Sequence, residues 1–372
     1  MLKRIKNIWQ KPIQALDCVS ESWERLEKFC QENDIKLTKF HEKSALNPVS
    51  ITAIEENPHP YLQNFHSEAF IGVLEINQPG FYFSNHHLIS PKNEIIYHIG
   101  VPFQILPAAR QPLQVKSAKK IKGTVAYLSN TAVNHYDHWL RLILPILRIY
   151  RDYGYLDKID YFYIGEVAIN QFMAESLRML GIPLEKIINY PCNSEKLISV
   201  VSQWPKQHED RAYLDQKSYQ FIREEFLKPI DLSVNCCYGS RVYISRGKVN
   251  WRKVINEAAV IDFLKPYDFE FRVMDNLSIQ EQIKIFYFAN TLIAPHGSAL
   301  TNLFFSQAKN KVLEIFPADY TYHSSFTLAA HSQCQYFYFH SSPISQSNVL
   351  PAYMDMQIDL NKLEKALMKM EI

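Results

Sequence analysis

The chain has 372 residues, 47% of them hydrophobic, with 40 basic and 38 acidic side chains and a net charge of +2. That balance excludes a dedicated nucleic-acid binder, which carries a basic excess. Only ten glycines are present, with no GxGxxG and no Walker A sequence, which excludes a glycine-fingerprint dinucleotide fold or a P-loop kinase.

Residues 1–40 read as helical, with Leu2, Ile5, Ile8, Trp9, Ile13 and Leu16 at helical spacing among Lys3, Arg4, Lys6 and Lys11. A basic amphipathic helix over 1–20 suits peripheral contact with an anionic membrane; the alternative is packing on its own protein. Residues 45–115 change character. Turn signals at Gln78-Pro79-Gly80 and Ser90-Pro91-Lys92-Asn93 separate short strands at 70–74, 81–83 and 95–99. From about 120, strand and helix alternate: strand 123–128, helix 138–150, strand 160–164, helix 169–180, then Ile187-Ile188. A charged helix over 209–228 leads to Pro229 and a fresh start. Strand 241–245, helix 256–264, strand 270–274, helix 278–288, and strands 291–294 and 311–316 follow, with a final helix at 361–370. Such alternation predicts an α/β fold with parallel sheets and covering helices. The division is an N-terminal helical segment 1–44, an α/β domain 45–228, a second α/β domain 229–345, and a tail 346–372 whose helix is expected to fold back on the first domain.

Cys18, Cys30, Cys192, Cys236, Cys237 and Cys334 form no CxxC pair, so a reduced setting fits and structural zinc does not. Cys236-Cys237 reads as two buried thiols at a strand start. No signal-peptide pattern follows Met1, and no apolar run reaches the ~18–20 residues of a membrane span; Leu142 to Ile149 is nearest, broken by Pro145 and Arg148.

The stretch His296-Gly297-Ser298-Ala299-Leu300-Thr301-Asn302 follows a buried strand and opens a helix. Backbone N–H groups and a helix-dipole positive end there favour a phosphate, with donors added by His296, Ser298 and Thr301. An ordinary capped strand-to-helix connection is the blander reading.

Around that stretch stand Tyr243-Ile244-Ser245-Arg246, Trp251-Arg252, Asn256-Glu257, Leu277-Ser278, Glu281-Gln282, Ala289 and Leu313-Glu314-Ile315-Phe316-Pro317. The first half offers Asn134-His135-Tyr136-Asp137-His138-Trp139-Leu140 with Leu144-Pro145. In order and spacing this resembles glycosyltransferase family 61 over about 120–345. The departures are Ser298-Ala299, where the family has two small residues led by alanine, and fewer basic residues between Gly247 and Trp251. The resemblance implies a GT-B architecture, two Rossmann-like domains with a cleft between them and the nucleotide sugar held by the C-terminal one. It also implies inversion at the anomeric carbon, with UDP the favoured nucleotide. A bacterial-type member would act at the cytoplasmic face of the membrane on a glycan or lipid-linked glycan acceptor of capsule, lipopolysaccharide or other surface polysaccharide.

A nucleotide-sugar transferase must hold a diphosphate and take a proton from an acceptor hydroxyl. No DxD sits at a plausible strand end, so no metal or cofactor is expected, and positive side chains must neutralise the diphosphate. Arg246 is first choice for a charge-assisted contact, Arg252 second and Lys248 third. Gly297 lets the backbone approach, and His296, Ser298, Ala299, Thr301 and Asn302 complete the donor side. Glu314 is expected on the ribose hydroxyls, or else orienting the loop. Asn134, Asn256 and Glu257 are supporting residues. The base comes from across the cleft: His138, with Asp137 either the base itself or orienting His138. Tyr and Phe, 22 each, leave the sugar-stacking residues unassigned. The alternative is a non-catalytic nucleotide-sugar-binding scaffold protein, and a weaker one a phosphoryl- or sulfo-transferring enzyme. The feature that separates enzyme from scaffold is whether His138 faces the diphosphate turn.

Overall fold

The computed structural model describes residues 14–16, 23–45, 50–54, 59–60, 62, 66–92, 94–96, 117–203, 214–233, 238–247, 249–346 and 349–372. Most of the 1–20 segment, Cys18, Cys236-Cys237 and Lys248 lie outside them. The described residues form a mixed α/β fold with two sheets, one of ten strands and one of six. Among the described residues no helix is long and apolar enough to cross a membrane.

The six-stranded sheet is wholly parallel. Its first five strands run Glu270–Val273, Arg241–Ser245, Thr291–Pro295, Lys311–Phe316, Gln335–His340 across the sheet, so the chain order is 2-1-3-4-5. Thr291–Pro295 is buried at every position because both sheet faces are covered. Tyr243, Ile293, Leu313 and Phe337 pack on one face against the helices Glu257–Leu264 and Leu360–Lys369. Val242, Leu292 and Val312 pack on the other, with Ile283, Phe286 and Phe304. The chain reverses direction across the sheet between Arg241–Ser245 and Thr291–Pro295. At such a switch point a crevice opens outside the carboxyl ends of the strands.

One feature departs from the expected segmentation. Ile51–Ala53 adds a sixth strand beside Gln335–His340, so part of the first half completes the second sheet. The last helix buries Leu363, Ala366 and Leu367 under the C-terminal sheet, and there it also meets the first half: Ile54 shares that core, and Lys369 Nζ donates to the Ile54 carbonyl at 2.9 Å.

The other sheet is built around Cys192–Gln203, which pairs in parallel with Lys119–Tyr127 and antiparallel with His66–Ile76. Tyr161–Tyr163 and Ile187–Ile188 extend the parallel side. Lys36–Ala45 and the short strands Tyr82–Ser84, His87–Ile89 and Glu94–Ile96 extend the antiparallel side, with Gln14–Leu16 at its edge. The all-helical reading of 1–40 therefore fails: among the described residues of that segment only Trp23–Glu32 is helix, between strands at 14–16 and 36–45.

The expected helix 138–150 is also broken. Pro145 has no N–H to give the Arg141 carbonyl, and its ring crowds that carbonyl. The preceding turn widens: Trp139–Ile143 is π-helical, and the Leu144 N–H donates to the Trp139 carbonyl at 2.9 Å. Pro145–Asp152 then continues as α-helix. The single turn Tyr136–His138 before the π segment is set at the seam between the sheets.

Candidate functional site

The seam is tied by polar bonds that cross it. The Tyr136 hydroxyl donates to Asn302 Oδ1 at 2.7 Å, and Thr301 Oγ1 donates to Asp137 Oδ1 at 3.0 Å. The Ile279 N–H at a helix start donates to Glu175 Oε2 at 2.7 Å. Between these ties lie two cavities of about 440 and 420 Å³ that share His135 and Ser298 in their walls. Both open at the switch point.

Arg246 follows directly on the strand Arg241–Ser245 and lines the larger cavity. Arg252 lines the smaller one. Neither forms an ion pair among the described residues, and the Nε of each is buried without a hydrogen-bond partner. Burial and the neighbouring Arg252 push the Arg246 guanidinium down to about 10, and burial also lowers Arg252. Arg246 Nη2 donates to the Trp251 carbonyl at 3.2 Å, but among the described residues no carboxylate pairs with either guanidinium, and two partly dehydrated cations so placed can take an anion. Arg252 sits at φ 56, a left-handed backbone that costs an arginine roughly 1 kcal/mol or more and is held by its neighbours.

Gly297 has an extended backbone, so its role is space rather than conformation. A Cβ there would stand 1.9 Å from Arg246 Nη1. The missing side chain lets the guanidinium lie against the strand end. Ser298 then opens the expected helix, an eight-residue 3₁₀ helix over Ser298–Phe305. Ser298 is exposed into both cavities, and Ala299 lines the larger.

His296 lines the smaller cavity, with Nδ1 2.5 Å from Glu314 Oε1. The carboxylate fixes Nδ1 as the protonated nitrogen and leaves Nε2 for a ligand. Glu314 itself is fully buried; its oxygens also accept from Ser325 at 3.1 Å and from the Tyr336 hydroxyl. The ribose contact expected of Glu314 is therefore ruled out by packing, and Glu314 orients His296. Thr301 and Asn302 are likewise committed. Thr301 gives its hydroxyl to Asp137, and Asn302 joins Tyr136, Gln282 and the Ala299 carbonyl. They bind the two halves together: Thr301 lines the smaller cavity but its hydroxyl proton is given to Asp137, and the fully buried Asn302 lines neither cavity, so neither side chain is free to donate to a ligand.

Across the seam, Asp137 holds Arg141 through two bonds, 2.9 Å from Nε and 2.8 Å from Nη2. Burial alone would raise its carboxyl, but Arg141 and Thr301 hold it well below the usual carboxylate range. A carboxylate so engaged is a clamp and a poor proton acceptor. His138 lines the smaller cavity with His296 and Arg252. Burial, with Arg141 and His135, pushes its imidazole down to about 4 against the pull of Asp137, so it is neutral at pH 7. Its Nδ1 is buried with no hydrogen-bond partner. Asn134 is exposed in the larger cavity wall. Asn256 clamps the Ile358 backbone in both directions, at 2.8 and 3.0 Å, and Glu257 accepts from the Tyr243 hydroxyl. Both brace the 246–256 loop without lining either cavity.

Residues 136–313 match the family model Glycosyltransferase 61. The match supports that family and, with it, glycosyl transfer as the general activity, which requires a sugar donor and an acceptor. It spans the Asp137-His138 turn, both arginines and the 296–302 turn. A search of curated proteins returns no significant match.

Several residues in the two cavities were not singled out from sequence. Asp275 stands just past the strand Glu270–Val273 in the wall of the larger cavity, beside Ile244, Met274 and Leu277. Its signal was legible: a carboxylate just beyond the second strand of a parallel sheet suits a ribose. His135, Tyr320, Tyr322 and Tyr353 line the smaller cavity. No spacing rule marks those three tyrosines among 22.

Proposed function

We propose that the chain is an inverting, metal-independent glycosyltransferase of GT-B architecture. It moves a sugar from a nucleotide-sugar donor, UDP-linked, to a hydroxyl of a glycan acceptor. The observation that carries this reading is the unpaired Arg246–Arg252 couple at the sheet's switch point, walling the same joined cavities as the neutral His138. The larger cavity, with its apolar wall and Asp275, suits the nucleoside. The diphosphate lies between Arg246, Arg252 and the Ser298 N–H. The smaller cavity receives the transferred sugar and the acceptor.

His138 accepts the proton of the acceptor hydroxyl as that oxygen attacks the anomeric carbon. The bond from that carbon to the diphosphate oxygen breaks on the opposite face, which inverts the centre. The leaving electron pair goes to the diphosphate, stabilised by the two guanidiniums. These cations supply the charge that a metal provides in other transferases. A bound diphosphate also adds negative charge beside His138 and raises its basicity toward neutral pH. A bacterial-type role in surface polysaccharide synthesis at the cytoplasmic face follows from the family resemblance alone. The neutral histidine in the cavity that Arg252 also lines, next to the one that holds Arg246, favours an enzyme over a binding scaffold.

The test is turnover of a panel of nucleotide sugars, with EDTA and a mixed glycan acceptor pool, by the native chain and by Arg246→Ala. Release of one nucleotide that survives EDTA and is lost with Arg246→Ala supports the reading. Nucleotide binding without release from any donor would favour the scaffold.

A further inference from the structure

Among the described residues, Trp251 and Tyr353 are large hydrophobic side chains left exposed, at 54% and 47%. Their rings lie side by side, centroids 5.6 Å apart and tilted by 55°. They come from distant parts of the chain. The 246–256 loop and the 353–356 segment are stitched together by Arg252 N–H to the Tyr353 carbonyl at 3.3 Å and Ile255 N–H to the Met356 carbonyl at 2.9 Å. Exposed aromatic pairs fixed by backbone bonds are costly to leave wet and mark binding surfaces.

Their position says what they bind. Tyr353 is a wall of the smaller cavity, the one that holds His138, and Trp251 continues the aromatic surface outward from it. Within that wall Tyr320 and Tyr322 stack nearly parallel, 6.4 Å apart. Among the described residues of the lining, Leu328 is the one aliphatic side chain. Aromatic faces with hydroxyl and imidazole edges complement a pyranose, which has a C–H face and a hydroxyl rim. A lipid tail needs a continuous aliphatic groove instead.

We propose that Trp251 and Tyr353 form a stacking platform for a sugar ring of an oligosaccharide acceptor, one unit back from the hydroxyl that reacts at His138. The substrate class is then a glycan of two or more units, and the reaction is elongation. This rests on the transferase reading for the identity of the neighbouring cavity.

The experiment screens the UDP-loaded native chain on an array of immobilised mono-, di- and trisaccharides. The tightest binder is titrated by calorimetry into the native chain, Trp251→Ala, Trp251→Phe, Tyr353→Ala and Leu350→Ala, with UDP affinity measured for each. Leu350, 67% exposed, accepts the Tyr353 N–H through its carbonyl, so its side chain probes general apolar contact. The platform predicts a loss of about tenfold or more for Trp251→Ala and Tyr353→Ala and near-native binding for Trp251→Phe and Leu350→Ala. UDP affinity stays within about twofold throughout. Saccharide affinity unchanged in Trp251→Ala overturns it, as does an array with no ligand while UDP binds. Sedimentation with phosphatidylglycerol vesicles that needs Trp251 and Leu350, without saccharide binding, overturns it in favour of a lipid surface. Saccharide binding that depends on Trp251 in a chain that does not bind UDP leaves the platform standing and removes the donor reading.

Discussion

Gly297 and Arg246 act as one device. A methyl at 297 would overlap the end of the Arg246 side chain, and that side chain is flexible enough to move away. Gly297→Ala is therefore expected to leave the melting temperature within a few degrees while weakening UDP by tenfold or more, as Arg246→Ala does; isothermal titration and thermal melts together check this. Equal UDP affinity in Gly297→Ala would sink the assignment of Arg246. His138 works differently. It is neutral at pH 7 with its value down at about 4, so its loss removes proton transfer and not donor binding. His138→Ala should lower kcat by about 10²–10⁴ with UDP affinity kept. The acid limb of kcat/KM, which reports the free enzyme, should fall near pH 4 rather than near 6.5, and a limb at 6.5 would exclude this imidazole as the base.

At the scale of elements, the turn Tyr136–His138 and its π segment carry the far side of the site. Asp137 clamps Arg141 inside this element and takes Thr301 from across the seam. Removing one member of such a pair strands the other, at a cost on the order of 3 kcal/mol. Asp137→Ala should thus lose stability and activity together, whereas a simple catalytic base would lose turnover with melting unchanged. The elements themselves were unevenly legible. Thr291–Pro295 and Lys311–Phe316 are short apolar runs of a doubly covered sheet, and the Ser278 capping box closes as its sequence says. Lys36–Ala45 was hidden because the helical spacing of Trp23, Leu26 and Phe29 was carried through Asn33-Asp34, where Asp34 at φ 53 ends the helix. Cys192–Gln203 opens with five residues, Cys-Asn-Ser-Glu-Lys, that carry little strand signal, and its pairing on both sides decides it. Site residues divide the same way. Strand ends and the 296–298 turn are local features, so Arg246, Gly297 and Ser298 were readable. The commitments of Glu314, Thr301 and Asn302 depend on which partner arrives from another element. Glu314 lies on the same strand face as Val312 and Phe316 and so meets Ser325, which no local pattern announces.

For the whole molecule, the groups that hold the fold together are set against acid. His86, His87, His138 and His331 are all lowered by burial from the ordinary 6.5, His87 and His138 to about 4. The unfolded chain binds protons at these imidazoles from about pH 6.5 downward while the folded chain refuses them. Stability therefore falls as pH drops through that window, and the fall from these two ends near 4. Carboxylates contribute in a lower window. Glu75, held by Lys196 and Lys36, is lowered to about 2 despite burial, so its stabilisation is complete above about 4.5 and is lost as pH falls toward 2. Between pH 6.5 and 5 the histidines act largely alone. The melting temperature should decline there by roughly 5–10 °C, because a kcal/mol moves a molecule of this size by a few degrees. His87→Gln, which keeps a polar side chain and cannot titrate, should flatten the decline even if it lowers the melting temperature at pH 7.5. Saturating UDP should flatten the His138 share as well, because a diphosphate beside the imidazole draws its folded-state value up toward that of the unfolded chain. Calorimetric melts at half-unit steps from pH 7.5 to 4.5, with and without UDP, read both effects, and a melting temperature constant across that range would show that these imidazoles are not held neutral by the fold.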